Sequence, residues 1–75
     1  MVEVMLSYYK NANDLNKLAV LHYMMHKNCP LTVKEISKQL NLSYSLTYKI
    51  LQELVSEKFV EVIKTYPRFY ILYKE

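Results

Sequence analysis

The stretch LTVKEISKQLNLSYSLTYKILQELVSEKFVEV, residues 31–62, decides how this chain folds. It opens on Thr32-Val33-Lys34-Glu35, the spacing of a capping box. In that arrangement the Thr32 hydroxyl accepts from the Glu35 amide, and the Glu35 carboxylate reaches back to the Thr32 amide. Val33, Ile36 and Leu40 then share one face of a short helix ending near Leu40 or Asn41. Asn41-Leu42 predicts a tight turn, because asparagine tolerates left-handed backbone better than most residues. Ser43 predicts the cap of another helix, which carries Leu46, Ile50, Leu51, Leu54 and Val55 to about Glu57. From Phe59 the apolar period falls to two, which signals a strand.

Working outward, Phe59–Lys64 reads as one strand and Phe69–Lys74 as its partner, with Thr65-Tyr66-Pro67-Arg68 as the turn between them. Upstream, Asn13 or Asp14 can cap a first helix reaching Lys27 or Asn28. Leu15, Leu18, Ala19, His22 and Met25 form its expected core stripe, which Leu21 and Met24 widen. Pro30 stops that helix. The first ten residues fit a strand through Val2, Val4, Leu6 and Tyr8, and a helix through Val2, Met5, Leu6 and Tyr9. Seventy-five residues make one domain, α+β, with three helices followed by a two-stranded hairpin.

Glu35-Ile36-Ser37-Lys38-Gln39-Leu40-Asn41-Leu42-Ser43 resembles the first half of a prokaryotic helix-turn-helix. Leu51-Gln52-Glu53-Leu54-Val55-Ser56-Glu57-Lys58-Phe59-Val60 resembles the LxxLxxxGLV ending that leads into a β-wing. Together they are similar to the winged helix-turn-helix superfamily, whose members are mostly transcriptional regulators that place the third helix in the major groove. Two departures stand out. Where that pattern has glycine, this chain has Lys58, and a left-handed residue with a Cβ costs about 1 kcal/mol more there. A differently built helix end is therefore expected. Leu46-Thr47 also inverts the usual polar–apolar order, leaving the rotation of the third helix open by one position and Ser45 and Thr47 open as contacts. The composition, without glycine and rich in Ile, Tyr, Lys and Met, resembles that of small proteins from archaeal viruses and plasmids.

The resemblance and the chemistry of the side chains converge on double-stranded DNA as partner. A helix N-terminus presents free amides and positive potential to phosphate, so Ser43 and the residues after it suit that contact. The face opposite Leu46, Ile50 and Leu54 carries Tyr44, Ser45, Tyr48, Lys49 and Gln52. Gln pairs with adenine and Lys with guanine or phosphate, while Ser and Tyr hydroxyls serve either purpose. At the wing tip Lys64, Tyr66 and Arg68 come together, and Arg68 is the only arginine, suited to the minor groove or a phosphate fork. Lys34 and Lys38 are candidate phosphate contacts on the second helix, and Glu53, Glu57 and Glu61 fall away from this side.

Ten Lys and Arg against seven Asp and Glu give a net charge of +3, which favours a polyanion without specifying one. The absence of glycine excludes Gly-rich phosphate loops. A single cysteine, Cys29, fits a reducing, cytoplasmic setting, and no apolar run approaches the roughly 20 residues of a membrane span. His22, His26 and Cys29 have ligand spacing, but Pro30 draws Cys29 off the helix, so the histidines are expected to pack against the core and no metal or other cofactor is expected. No catalytic set or small-molecule substrate is evident, and an enzyme is not expected. Homodimerisation is expected through residues 1–12 with Tyr8, Tyr9 and an outer face of the first helix at Leu21 and Met24. The rival readings are a winged helix used for protein–protein contact and a DNA-binding part of a replication or partition complex.

Overall fold

The computed structural model describes residues 12–73, with side chains from Asp14 onward. Three helices, α1 (Ala12–Lys27), α2 (Val33–Leu40) and α3 (Tyr44–Ser56), precede an antiparallel hairpin of β1 (Val60–Ile63) and β2 (Phe69–Leu72). This is the α+β winged helix that the sequence predicts. Apart from Ala12, the expected pairing segment at 1–12 lies outside the described residues.

The turn signals act as they read. The Thr32 hydroxyl accepts from the Glu35 amide at 3.2 Å. The Glu35 carboxylate instead accepts from that hydroxyl at 3.4 Å rather than reaching the Thr32 amide. Asn41 takes the left-handed conformation (φ 55, ψ 41), and Leu42 donates back to the Ser37 carbonyl at 2.9 Å. Ser43 caps α3 by accepting from the Leu46 amide at 3.1 Å. At α1 the helix begins at Ala12, ahead of the expected caps, and Asp14 lies inside its first turn. An acidic side chain there still complements the helix dipole.

The face of α1 is turned from where the sequence puts it. Lys17, Val20, Leu21 and Met24 point inward, while Leu15, Ala19, His22, Met25 and His26 are exposed and Leu18 is half-buried. Leu21 and Met24 are therefore core residues and cannot form an outer dimer face, and the histidines do not pack in the core. The reason is Lys17. Its side chain is 11% exposed and its ammonium meets Glu57 at 3.0 Å and Glu53 at 3.6 Å on α3. A polar residue thus occupies the centre of the buried arc, and reading that position as solvent rotates the whole helix.

The rotation of α3 is settled by Thr47. It is fully buried beside Ile50, Leu51 and Leu54, and its hydroxyl donates to the Ser43 carbonyl at 2.9 Å. Leu46 is only half-buried. At the far end Lys58 adopts φ 66, so the helix does close through a left-handed residue despite the missing glycine. Lys58 donates to the Val55 carbonyl at 3.1 Å and Phe59 to the Leu54 carbonyl at 3.0 Å. Those two bonds are the paired ones of a Schellman motif.

The strands are shorter than predicted, four residues each, with Val60 opposite Leu72 and Val62 opposite Tyr70. A contact not foreseen from sequence joins this sheet to the segment before α2. The Leu31 amide donates to the Tyr70 carbonyl at 2.9 Å, and the Tyr70 amide to the Leu31 carbonyl at 2.7 Å. One core results, holding Val20 and Met24 from α1, Ile36 from α2, Leu51 and Leu54 from α3, and Val60 and Tyr70 from the sheet. Each such side chain contributes roughly 1.5–3 kcal/mol of burial, which is what fixes α3 and the hairpin relative to each other.

Candidate DNA-binding face

With Thr47, Ile50, Leu51 and Leu54 turned inward, the opposite side of α3 is presented to solvent. Tyr44, Ser45, Tyr48 and Lys49 are exposed there, Tyr44 by 59% and Tyr48 by 40%. So much open aromatic surface on a row of polar residues is uncommon on a surface that only meets water. Ser43 is exposed as well, with its hydroxyl engaged in the cap.

The hairpin carries the second group. Lys64, Tyr66 and Arg68 are exposed around the turn, and Tyr66 is fully open to solvent. The turn contains a cis Tyr66–Pro67 bond, and the Thr65 hydroxyl donates to the Pro67 carbonyl at 2.7 Å. Arg68 precedes Tyr70 by two positions, so in extended chain the two lean to the same side of the sheet.

Gln52 is placed differently from its neighbours on the row. It is half-buried, and its amide nitrogen donates to the Tyr70 phenol oxygen at 3.0 Å. Tyr70 itself has no exposed surface. Burial pushes its phenol above the usual tyrosine value and the nearby Tyr48 pushes the same way, while Arg68 pulls it down. Gln52 thus reaches one buried hydroxyl where α3 meets β2, and the charges of Tyr48, Arg68 and Tyr44 act on that hydroxyl. Sequence reading passed over Tyr70, since an aromatic in a strand gives no sign of which helix its hydroxyl will reach.

Lys34 and Lys38 are exposed one turn apart on α2. Lys38 borders a shallow hollow with Lys27, Cys29 and Glu35, so it shares surroundings with the end of α1. Glu53 and Glu57 are drawn to Lys17, which removes two carboxylates from the vicinity of the α3 row. Burial alone would lower the Lys17 ammonium, but the hydrogen bond and charge of Glu57 with the charge of Glu53 outweigh it and hold it above the ordinary lysine value. His22, His26 and Cys29 are all exposed, with Cys29 beyond the last residue of α1. Among the described residues no group of three His, Cys, Asp or Glu could hold a metal ion, and no helix is long and apolar enough to cross a membrane.

Residues 15–74 match the family model of the sugar-specific transcriptional regulator TrmB. Comparison with curated proteins and with solved structures gave no match. The matched range takes in all of α2, α3 and the hairpin, and all but the first turn of α1. That family consists of transcriptional regulators with a DNA-binding winged helix and is not a family of enzymes.

Proposed function

The chain belongs to the TrmB family of transcriptional regulators, and from that premise we propose that it recognises duplex DNA sequence-specifically, as a cytoplasmic homodimer. The observation that carries this reading is the exposed row Tyr44, Ser45, Tyr48 and Lys49 on α3, set beside a wing bearing Lys64, Tyr66 and Arg68. The N-terminal half of α3 enters the major groove, where Ser and Lys meet base edges and phosphate and the tyrosine rings pack on sugars and thymine methyls. Arg68 serves the minor groove or the phosphate beside it. Ser43 at the helix N-terminus and Lys34 and Lys38 on α2 contribute backbone contacts that set register.

Pairing of two copies is supported by Leu15, Leu18, His22 and Met25, which follow helical spacing on the side of α1 turned from the core. Two copies read two half-sites about 34 Å apart or a multiple of that. Gel filtration with light scattering at tens of micromolar is expected to give a dimer; a monomer only would remove this part.

Selection of random duplex DNA at moderate salt, followed by sequencing, is expected to return an enriched motif. The affinity falls steeply with salt, because each neutralised phosphate releases counterions at a slope of about 0.9 per contact. Arg68→Ala and Lys49→Ala lower both affinity and slope. Binding to a polypeptide with little salt dependence, and none to DNA, would favour the protein-contact reading instead.

A further inference from the structure

We propose that Tyr70 and Gln52 form a brace that locks the wing to α3, so that helix and wing grip DNA as one rigid unit and Gln52 is not a base reader. The proposal rests on the DNA-binding reading above and assigns Tyr70 as a positioning residue within it.

Tyr70 is tied down from every side. Its backbone exchanges two hydrogen bonds with Leu31, at 2.7 and 2.9 Å, and it stands opposite Val62 in the hairpin register. Its ring is fully buried in the core, and its phenol oxygen accepts from the Gln52 amide at 3.0 Å. Gln52 lies one helical turn beyond Tyr48 and two beyond Tyr44, along the same edge of α3. From this junction α3 leads back to Tyr48 and Tyr44, and β2 leads back to Arg68 and Tyr66 at the wing tip. The Gln52–Tyr70 bond therefore ties together the two elements that carry the exposed groups.

A two-stranded hairpin has little rigidity of its own in water. Its angle to α3 has to come from attachments at its base, and this bond is a polar side-chain attachment between the two. A bidentate adenine contact needs the Gln52 oxygen and an amide hydrogen together, both pointing to the groove. With the amide turned into the sheet, that pose requires breaking the bond to Tyr70 and leaving a buried phenol without it, which is costly. Tyr48 lies one turn before Gln52 and Arg68 two residues before Tyr70, so the brace sets how these two groups stand relative to each other.

The test is Tyr70→Phe in the full chain, alone and with Arg68→Ala, against the DNA motif enriched by the wild type. Phe fills the same cavity without the oxygen, and circular dichroism with thermal melting verifies that the variant is folded. The brace predicts that Tyr70→Phe lowers affinity about tenfold, the worth of one well-placed hydrogen bond. It also predicts that Arg68→Ala costs clearly less in the Tyr70→Phe background than in the wild type, since an unbraced wing no longer holds Arg68 in place. A purely structural role for the phenol would lower the melting temperature while leaving the Arg68→Ala penalty unchanged, and that outcome overturns the proposal. Unchanged or tighter binding by Tyr70→Phe, together with loss of preference at one adenine in Gln52→Ala, would make Gln52 a reader and overturn it too. If the wild type itself enriches no DNA, the fault lies with the DNA-binding reading, and the brace is then judged on the free protein. There, Tyr70→Phe should speed amide hydrogen exchange in β1 and β2 relative to α2, and equal exchange would reject it.

Discussion

Replacing Lys58 by glycine should make this protein more stable, although it removes a side chain and adds flexibility. Lys58 sits at φ 66, in left-handed backbone that crowds a Cβ against the following carbonyl. That strain is roughly 1–2 kcal/mol for a residue with a Cβ. Glycine removes it but loses about 0.5–1 kcal/mol more conformational entropy on folding. The side chain is exposed, so little burial is lost. A net gain of roughly 1 kcal/mol remains, and for a domain of this size it corresponds to about 4–8 °C in melting temperature. The Schellman bonds from Lys58 and Phe59 involve only backbone atoms and persist in the variant. The assay is thermal and urea denaturation followed by circular dichroism, with Lys58→Ala as control, because alanine keeps the Cβ and should leave the midpoint almost unmoved. Asn41→Gly, at φ 55, should gain less, since asparagine already tolerates that region. A Lys58→Gly variant no more stable than Lys58→Ala would refute the argument that this helix end is strained.

Three further outcomes follow from the buried polar groups. Lys17→Ala should cost about 2–3 kcal/mol in urea denaturation, from lost burial of the stem and from leaving Glu53 and Glu57 facing each other; Lys17→Met keeps the stem and should cost under about 1 kcal/mol, so equal losses would contradict this account. Lys17 and Tyr70 both hold their protons more tightly in the folded state than their ordinary values allow. The folded protein then binds more protons than the unfolded chain, so stability is intact below pH about 10 and declines as pH rises through the folded values. A urea midpoint that stays flat to pH about 11, measured against a Lys17→Met/Tyr70→Phe double variant, would count against it. Finally, Gln52→Ala and Tyr70→Phe should each destabilise by about 1 kcal/mol, and together by scarcely more than either alone; additive losses would show that the two side chains do not act as a pair.

Tyr44, Ser45, Tyr48 and Lys49 could be placed on the outside of α3 from periodicity, with an ambiguity of one position that Thr47 resolves by being fully buried. A threonine can do that because its hydroxyl donates to a carbonyl one turn back, so no polar group is left unsatisfied. Arg68 was legible as a wing-tip cation because it lies in a turn sequence that contains a proline. The role of Gln52 was not legible, as its partner is 18 residues away in a strand.

The same division runs through the whole chain. Sequence alone determined the features closed within a few residues: the Thr32 cap, the left-handed Asn41, the Ser43 cap and the change of period near Phe59. Each is decided by a hydrogen bond or a side-chain alternation spanning at most one or two turns, so the neighbouring residues carry all the information. Tertiary structure decided the rest: which side of α1 is buried and what holds the wing. Lys17 can lie in the core because carboxylates 36 and 40 residues further on come to meet it. Leu31 and Tyr70 pair only once the core has brought the segment before α2 against β2. In each case the deciding energy belongs to a partner distant in sequence, and local propensity yields to it.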